Sequence, residues 1–311
     1  MADITAAMVK QLRETTGAGM MDSKKALVAT DGDMDAAIEF LRKNGQAKAE
    51  KKASRIAAEG LSYVQQKDDK TAAIVEINSE TDFVAKNEKF QAYVQAVAKQ
   101  AVESSSADMD SFMEEKWNED TSKSVKEALI EKIAVIGENL KIRRFEKVTE
   151  ADGCVVSYVH GGGRIAVIIG AQTGCVNDAV KEALTNVAMQ VAAMNPRYIS
   201  KNDIEPSYIE HEKEIFRAQI MNDPQESQKP EKVIDGIVMG RVNKECKEVC
   251  LLDQVYVKAE DGKQSVEKYL EQVSKANNTA IVIKQMVRYE TGEGIEKKHE
   301  DFAAEVAAQM K

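Results

Sequence analysis

Aromatic side chains are scarce in this sequence, at 5 % of 311 residues with a single tryptophan. Alanine-rich helices with few large anchors suit small modules better than one large enzyme core. A chain of this length then divides into two to four compact units. Cysteine is equally sparse. Cys154, Cys175, Cys246 and Cys250 contain no CxxC pair, and the last two stand one helical turn apart. Buried or incidental thiols in a reducing cytosol are expected. The three histidines, His160, His211 and His299, lie far apart in different modules, which argues against a metal centre. No run approaches the roughly 18–20 apolar residues of a membrane span, and the start MADITAAMVKQL lacks a signal-peptide pattern. A cytoplasmic protein is expected. Positive charge is in deficit: 43 Lys and Arg against 52 Asp and Glu give a net −9. Phosphate neutralisation needs a basic face, so protein partners are expected and direct nucleic-acid binding is not.

Catalytic motifs are missing as well. GxxxxGK[ST] occurs nowhere, and GAGMMD (17–22) lacks the third glycine of a dinucleotide fingerprint and sits between helices. His160-Gly161-Gly162-Gly163 is similar to an esterase oxyanion loop, but no GxSxG elbow exists to use it. Cys154 and Ser157 are near His160 but read as strand residues of a hairpin. Paired carboxylates carry no signal on a chain this acidic. What remains is an interaction protein with no catalytic residues, no cofactor and no metal. A hydrolase built on the HGGG turn and an RNA-associated module are the weaker alternatives.

What is present is modular. Residues 1–45 read as a three-helix N-terminal domain: Thr5 caps the first helix, with Ile4 and Val9 as a staple, and TTGAG (15–19) ends it. Asp33 caps the third helix, Ile38, Phe40 and Leu41 point inward, and Gly45 is its expected stop. Residues 46–59 form a polar linker. A repeat follows. Ser62-Tyr63-Val64, a turn, the strand TAAIVEI, a loop and a helix make one copy; Ser157-Tyr158-Val159, HGGGR, the strand IAVIIGA, a loop and a helix make the other. KIRRFEKV (141–148) and AIVIKQMVRYE (280–290) are candidate third strands. The first core subdomain is 60–150; the second is 151–200 with 249–290. Between them in the first copy, 104–124 reads as a mobile acidic loop. Residues 201–248 read as a helical hairpin with its tip at 222–230 and Val233 on its inner stripe. Residues 291–311 form a C-terminal helical module carrying Ile295 and Phe302. The fold class is α+β.

The copies differ at one place. The first has TDFVAKN after its strand, the second QTGCVND, so Phe83 stands in a connection that is normally solvated. Either it folds back as a lid on the core, or it is aimed at another molecule. Met20 and Met21 pose the same choice between packing and contact.

The segments TGAGMMDSKKAL (16–27), TDFVAKN (81–87), IGENLKIRR (136–144), HGGGRIAVII (160–169) and GEGIEKKHEDFAAEVAAQ (292–309) run in order along the chain. On these it resembles the elongation factor Ts family, the bacterial and organellar guanine-nucleotide exchange factors for elongation factor Tu. The resemblance implies a ubiquitin-associated-like three-helix domain, a core of two related subdomains with small antiparallel sheets packed by helices, a coiled-coil arm and a C-terminal helix. It implies that Thr81, Asp82, Phe83 and Val84 reach between helices of the GTPase and disturb its magnesium site. Met20, Met21, His160, Gly161, Arg164, Ile295 and Phe302 would supply further contacts. It also implies elongation factor Tu as partner, with a homodimer or a two-plus-two complex as the assembly. Two departures stand out: the stretch 104–124 is longer than usual, and HGGGR carries a third glycine in place of alanine, expected to loosen the second-half contact.

Overall fold

The computed structural model describes residues 3–296. Phe302 and most of the helix expected over 291–311 lie outside the described residues. Among those described, the protein is mixed α/β, with eleven α-helices and small antiparallel sheets.

Three helices open the chain: α1 (Ala6–Thr16), α2 (Met20–Ala29) and α3 (Met34–Lys52). Thr5 Oγ1 accepts the Met8 N–H at 3.3 Å, and Asp33 Oδ1 accepts that of Ala36 at 2.9 Å, so both caps sit where the sequence puts them. Val9, Leu12, Ala26, Leu27 and Ala37 form the shared core, with Ile4, Ile38 and Leu41 packed on it. Two expectations fail here. Phe40 is exposed and lines a cleft. Gly45 does not stop the helix, which runs seven residues further into the segment read as a linker. Its missing side chain serves packing instead: a Cβ there would lie 3.6 Å from that of Ala134.

The first repeat is the hairpin β1 (Glu59–Asp68) and β2 (Thr71–Ser79), the one-turn helix α4 (Asp82–Ala85) and the helix α5 (Glu88–Glu103). The stretch 104–124 is not a loose loop. It folds as α6 (Met109–Glu114), β3 (Lys116–Trp117) and β4 (Asp120–Ser124). Phe112 and Trp117 are buried in the core beneath it. Its acidity is partly satisfied internally, since Glu115 Oε1 accepts the hydroxyls of Ser104 and Ser106 at 2.6 Å each. Helix α7 (Val125–Ile136) follows with a Ser124–Glu127 capping box, then β5 (Lys141–Thr149) pairs with β2.

The second repeat matches. Strands β6 (Gly153–His160) and β7 (Ile165–Thr173) form the hairpin, and α8 (Asp178–Met194) is the helix. The arm α9 (Pro206–Asn222) and α10 (Glu231–Val249) intervenes. Ile220, Ile234, Val238, Val242 and Cys246 pack between its helices, while Val233 faces outward, against expectation. Cys246 and Cys250 are free, buried thiols of that apolar cluster. After α11 (Val266–Ala276), β8 (Ile281–Glu290) pairs with β7.

Both sheets thus have the central strand of the hairpin flanked by a late third strand, in the orders β1-β2-β5 and β6-β7-β8. Alternation along the central strands explains how they stack. Ala73, Val75 and Ile77 face Phe90, Val94 and Val97; Val167, Ile169 and Ala171 face Leu184, Val187 and Val191. The residues between, Ala72 and Ile74 from one sheet and Ala166 and Ile168 from the other, meet in a third cluster. The layers are helix, sheet, sheet, helix. Central strands buried on both faces read as continuous apolar runs, which is how TAAIVEI and IAVIIGA look.

Candidate functional site

Strand β2 delivers the chain to a turn that is held from one side. Glu138 Oε2 accepts the backbone N–H groups of Glu80 (3.1 Å) and Thr81 (3.0 Å), and its Oε1 accepts the Thr81 hydroxyl at 2.6 Å. Thr81 caps α4, taking the Val84 N–H on its Oγ1 at 3.4 Å. Asn139 N–H donates to Glu80 Oε1 at 2.6 Å, and the Asn139 amide donates to the Arg55 carbonyl at 2.8 Å. The ends of α3 and α7 and the start of α4 therefore meet in one polar knot.

Out of that knot one turn of helix projects. Ala85 is buried and Val84 packs against the first core, so this side of α4 is an anchor. Phe83 is 79 % exposed. It is not a lid on the core. Asp82 is exposed beside it and forms an ion pair with Lys86 at 2.7 Å. The hydrogen bond from Lys86 holds its carboxyl below the usual aspartate range.

Met20 and Met21 open α2 and are 61 % and 66 % exposed, so the packing alternative fails for them too. Their helix bundle meets α7 at Gly45, whose neighbours are Ala134 and Ile130. His160 is exposed, with its Nδ1 3.0 Å from the Tyr158 hydroxyl. Gly161 is exposed next to it, and Arg164 points out with Glu290 at 3.7 Å. The glycine-rich turn is not loose. Gly163 O accepts the Ser62 N–H at 2.7 Å and the Thr291 hydroxyl at 3.1 Å, tying it to the first repeat. Gly163 sits at φ +104°, in the left-handed region that favours glycine, and a Cβ there would also lie 3.3 Å from Ser62 O. Thr291 N–H donates to Arg164 O at 2.9 Å, which brings the HGGGR turn to the start of the C-terminal segment. Ile295 lies half-exposed just beyond, and Phe302 is outside the described residues.

That segment is gripped by a group the sequence reading passed over. Glu76, fully buried between the sheets, accepts the Gly292 N–H at 2.8 Å, Arg143 at 2.9 Å, Asn78 at 3.0 Å and Arg144 at 2.6 Å. Burial alone would push its carboxyl up, but Gly292, Arg143, Asn78 and Arg144 together hold it below the ordinary glutamate range. The signal in the sequence was a lone charge in an apolar strand, followed far downstream by paired arginines. Glu138 was missed likewise, although it follows Gly137 at the end of a helix. Among the described residues, no group of three or more His, Cys, Asp or Glu is placed to hold a metal, and no helix is long and apolar enough to cross a membrane.

A family model described as Elongation factor TS matches residues 80–293, from the knot to the Glu76 clamp. The elongation factor Ts of Clostridium novyi (strain NT) is 49 % identical over 311 residues, covering 99 % of both chains. The chain belongs to the elongation factor Ts family. The elongation factor Ts of Clostridium perfringens (strain SM101 / Type A) is similar at 50 % over 306 residues, 98 % of each chain. Elongation factor Ts is a translation elongation factor of the nucleotide-exchange kind. Membership implies an interaction with elongation factor Tu.

Proposed function

We propose that this chain binds elongation factor Tu in its GDP form and speeds the exchange of GDP for GTP by wedging Phe83 beside the GTPase's magnesium site. The observation that carries this is the exposed ring on a rigidly held helical turn. Thr81 and Val84 anchor that turn, and Asp82 and Phe83 are the groups presented. Asp82 forms an exposed ion pair with Lys86 on the same turn. No covalent step is involved.

Magnitudes divide the labour. Burying one Phe side chain is worth about 1.5–3 kcal/mol. A thousandfold faster GDP release needs about 4 kcal/mol of differential stabilisation. Phe83 therefore acts with other contacts: Met20 and Met21 from the ubiquitin-associated-like domain, the His160–Arg164 turn, and Ile295 and Phe302 of the C-terminal segment. Linkage adds a constraint: a factor that weakens nucleotide binding is itself weakened by nucleotide to the same degree. Entering GTP then expels it. The remaining parts of this reading are a coiled-coil arm, a cytoplasmic location, and assembly as a homodimer or a two-plus-two complex.

The test is stopped-flow release of labelled GDP from elongation factor Tu. Phe83→Ala is expected to slow the assisted release at least tenfold with an unchanged melting curve, consistent with the loss of about 1.5–3 kcal/mol. Release as fast as with the parent chain would remove the wedge.

A further inference from the structure

We propose that Glu138 is the positioning residue of the exchange reaction, holding the Phe83 turn in its wedging orientation; this rests on the reading of Phe83 given above. The Glu138 carboxylate meets three donors. Two backbone N–H groups and one hydroxyl, all from Glu80 and Thr81, converge on it within 2.6–3.1 Å. A carboxylate is the side chain that can accept all three at once, and such charge-assisted bonds are the strong ones. They fix the two residues immediately before α4. A one-turn helix cannot hold itself, because nucleation costs more than one hydrogen bond returns. The direction of Phe83 is therefore set from outside, by the packing of Val84 and Ala85 on the core and by Glu138 at the entry to the turn.

Glu138 is in turn placed by its own helix. Helix α7 ends at Gly137, in the left-handed region at φ +88°, with its N–H on the Ile133 carbonyl at 2.9 Å. That reversal turns the next residue toward the turn. The second half repeats the device. Helix α11 is capped by Asn277, the left-handed Asn278 (φ +48°) follows, and the next residue, Thr279, accepts the Gly174 N–H at 3.2 Å. The equivalent anchor there is a neutral hydroxyl holding a loop with no projecting aromatic. The charged anchor occurs in the half whose loop carries Phe83. A general folding device would not need that difference. A loop that must stay rigid while a ring is forced between a partner's helices does, since any freedom it keeps is lost on docking and subtracts from the work done.

The experiment is a double-mutant cycle with the full chain and elongation factor Tu loaded with labelled GDP, reading the release rate at saturating factor and the half-saturating concentration. Glu138→Ala is expected to lower the saturated rate about tenfold, or about 1.4 kcal/mol, with a smaller change in half-saturation. In the Phe83→Ala background the same change is expected to cost less than about twofold. Glu138→Gln should recover most of the rate, because its amide oxygen still accepts both N–H groups. Amide exchange at residues 81–85 should quicken in Glu138→Ala and not in Glu138→Gln. Equal losses with and without Phe83, or Glu138→Gln as slow as Glu138→Ala, would overturn the proposal. Should Glu138→Ala fail to fold, Glu138→Asp, which keeps the charge but draws the carboxylate back from its three donors and leaves the Thr81 cap of α4 intact, carries the same cycle with a smaller expected loss. If Phe83→Ala alone left the rate unchanged, the wedge itself would fall, a result separate from any seen at Glu138.

Discussion

The two halves of the core are built on one plan and depart from it at two places. Central strands β2 and β7 align from Thr71 and Ile165, and each is followed by a helix capped by asparagine, Asn87 or Asn177. Even the irregularities coincide: the third strand bulges opposite Glu76 in one sheet and opposite Gly170 in the other. The first departure is the connection to the helix. It takes eight residues in the first half (80–87) and four in the second (174–177). The added length is the turn of helix that exposes Phe83. The second departure is at the bulge. Glu76 there clamps the C-terminal segment, whereas a Cβ on Gly170 would already lie 3.2 Å from Val148 of the facing sheet. A shared frame supplies stability in both halves, and the first adds to it the exposed turn and the buried clamp.

Making the first half resemble the second should have the largest effect. Replacing residues 80–86 with Gly-Cys-Val, the length and letters of the second connection before its asparagine, should slow assisted GDP release about a hundredfold, more than Phe83→Ala alone, leaving what the other contacts supply. The chain should still melt cooperatively, with a loss of about 1–3 kcal/mol from the donors and acceptor left unpaired around Glu138. Exchange as fast as with the parent chain would show that the two halves do not divide the work as argued.

Next in size is the clamp. Glu76→Ala leaves Arg143 and Arg144 facing a buried gap and should cost about 3–5 kcal/mol in chemical denaturation. The effect carries a sign in pH. The folded Glu76 carboxyl lies below its unfolded value, so its contribution is complete above about pH 4.3 and is lost as pH falls through the lower folded value. The gap in stability between the parent and Glu76→Ala should therefore narrow on acidification below about pH 4.3. A gap that widened there would mean that Glu76 is not held as a carboxylate.

Much of the repeat was legible because its signals are local. Apolar runs of seven residues and glycine or charged turns mark each hairpin within a few positions, and KIRRFEKV and AIVIKQMVRYE read as strands unaided. What was not legible depends on partners far along the chain. Gly45 matches the local rule for a helix stop, and only the approach of Ala134 shows why the helix continues. Residues 104–124 are polar by composition, yet Phe112 and Trp117 outweigh that because two buried aromatics are large anchors in so aromatic-poor a chain. Glu76 reaches a partner 216 residues away, and Glu138 one 57 residues away. At the candidate site the sequence supplied Phe83 itself, but neither the anchors that hold its turn nor the exposure that rules out the lid.

The smallest expected effect is the most discriminating. Thr279 occupies in the second half the place of Glu138 in the first, and its hydroxyl bonds the Gly174 N–H and the Thr173 hydroxyl, each at 3.2 Å. Thr279→Ala should cost about 1 kcal/mol of stability, the ordinary worth of a neutral hydrogen bond. It should leave GDP release from elongation factor Tu within about twofold of the parent rate, less than 0.5 kcal/mol. Measured beside Glu138→Ala, it separates a framework anchor from one that aims a working side chain. If both slowed exchange in proportion to the stability they cost, the carboxylate would be only a stronger version of the threonine, and rigidity of the whole core, not of one turn, would govern the rate.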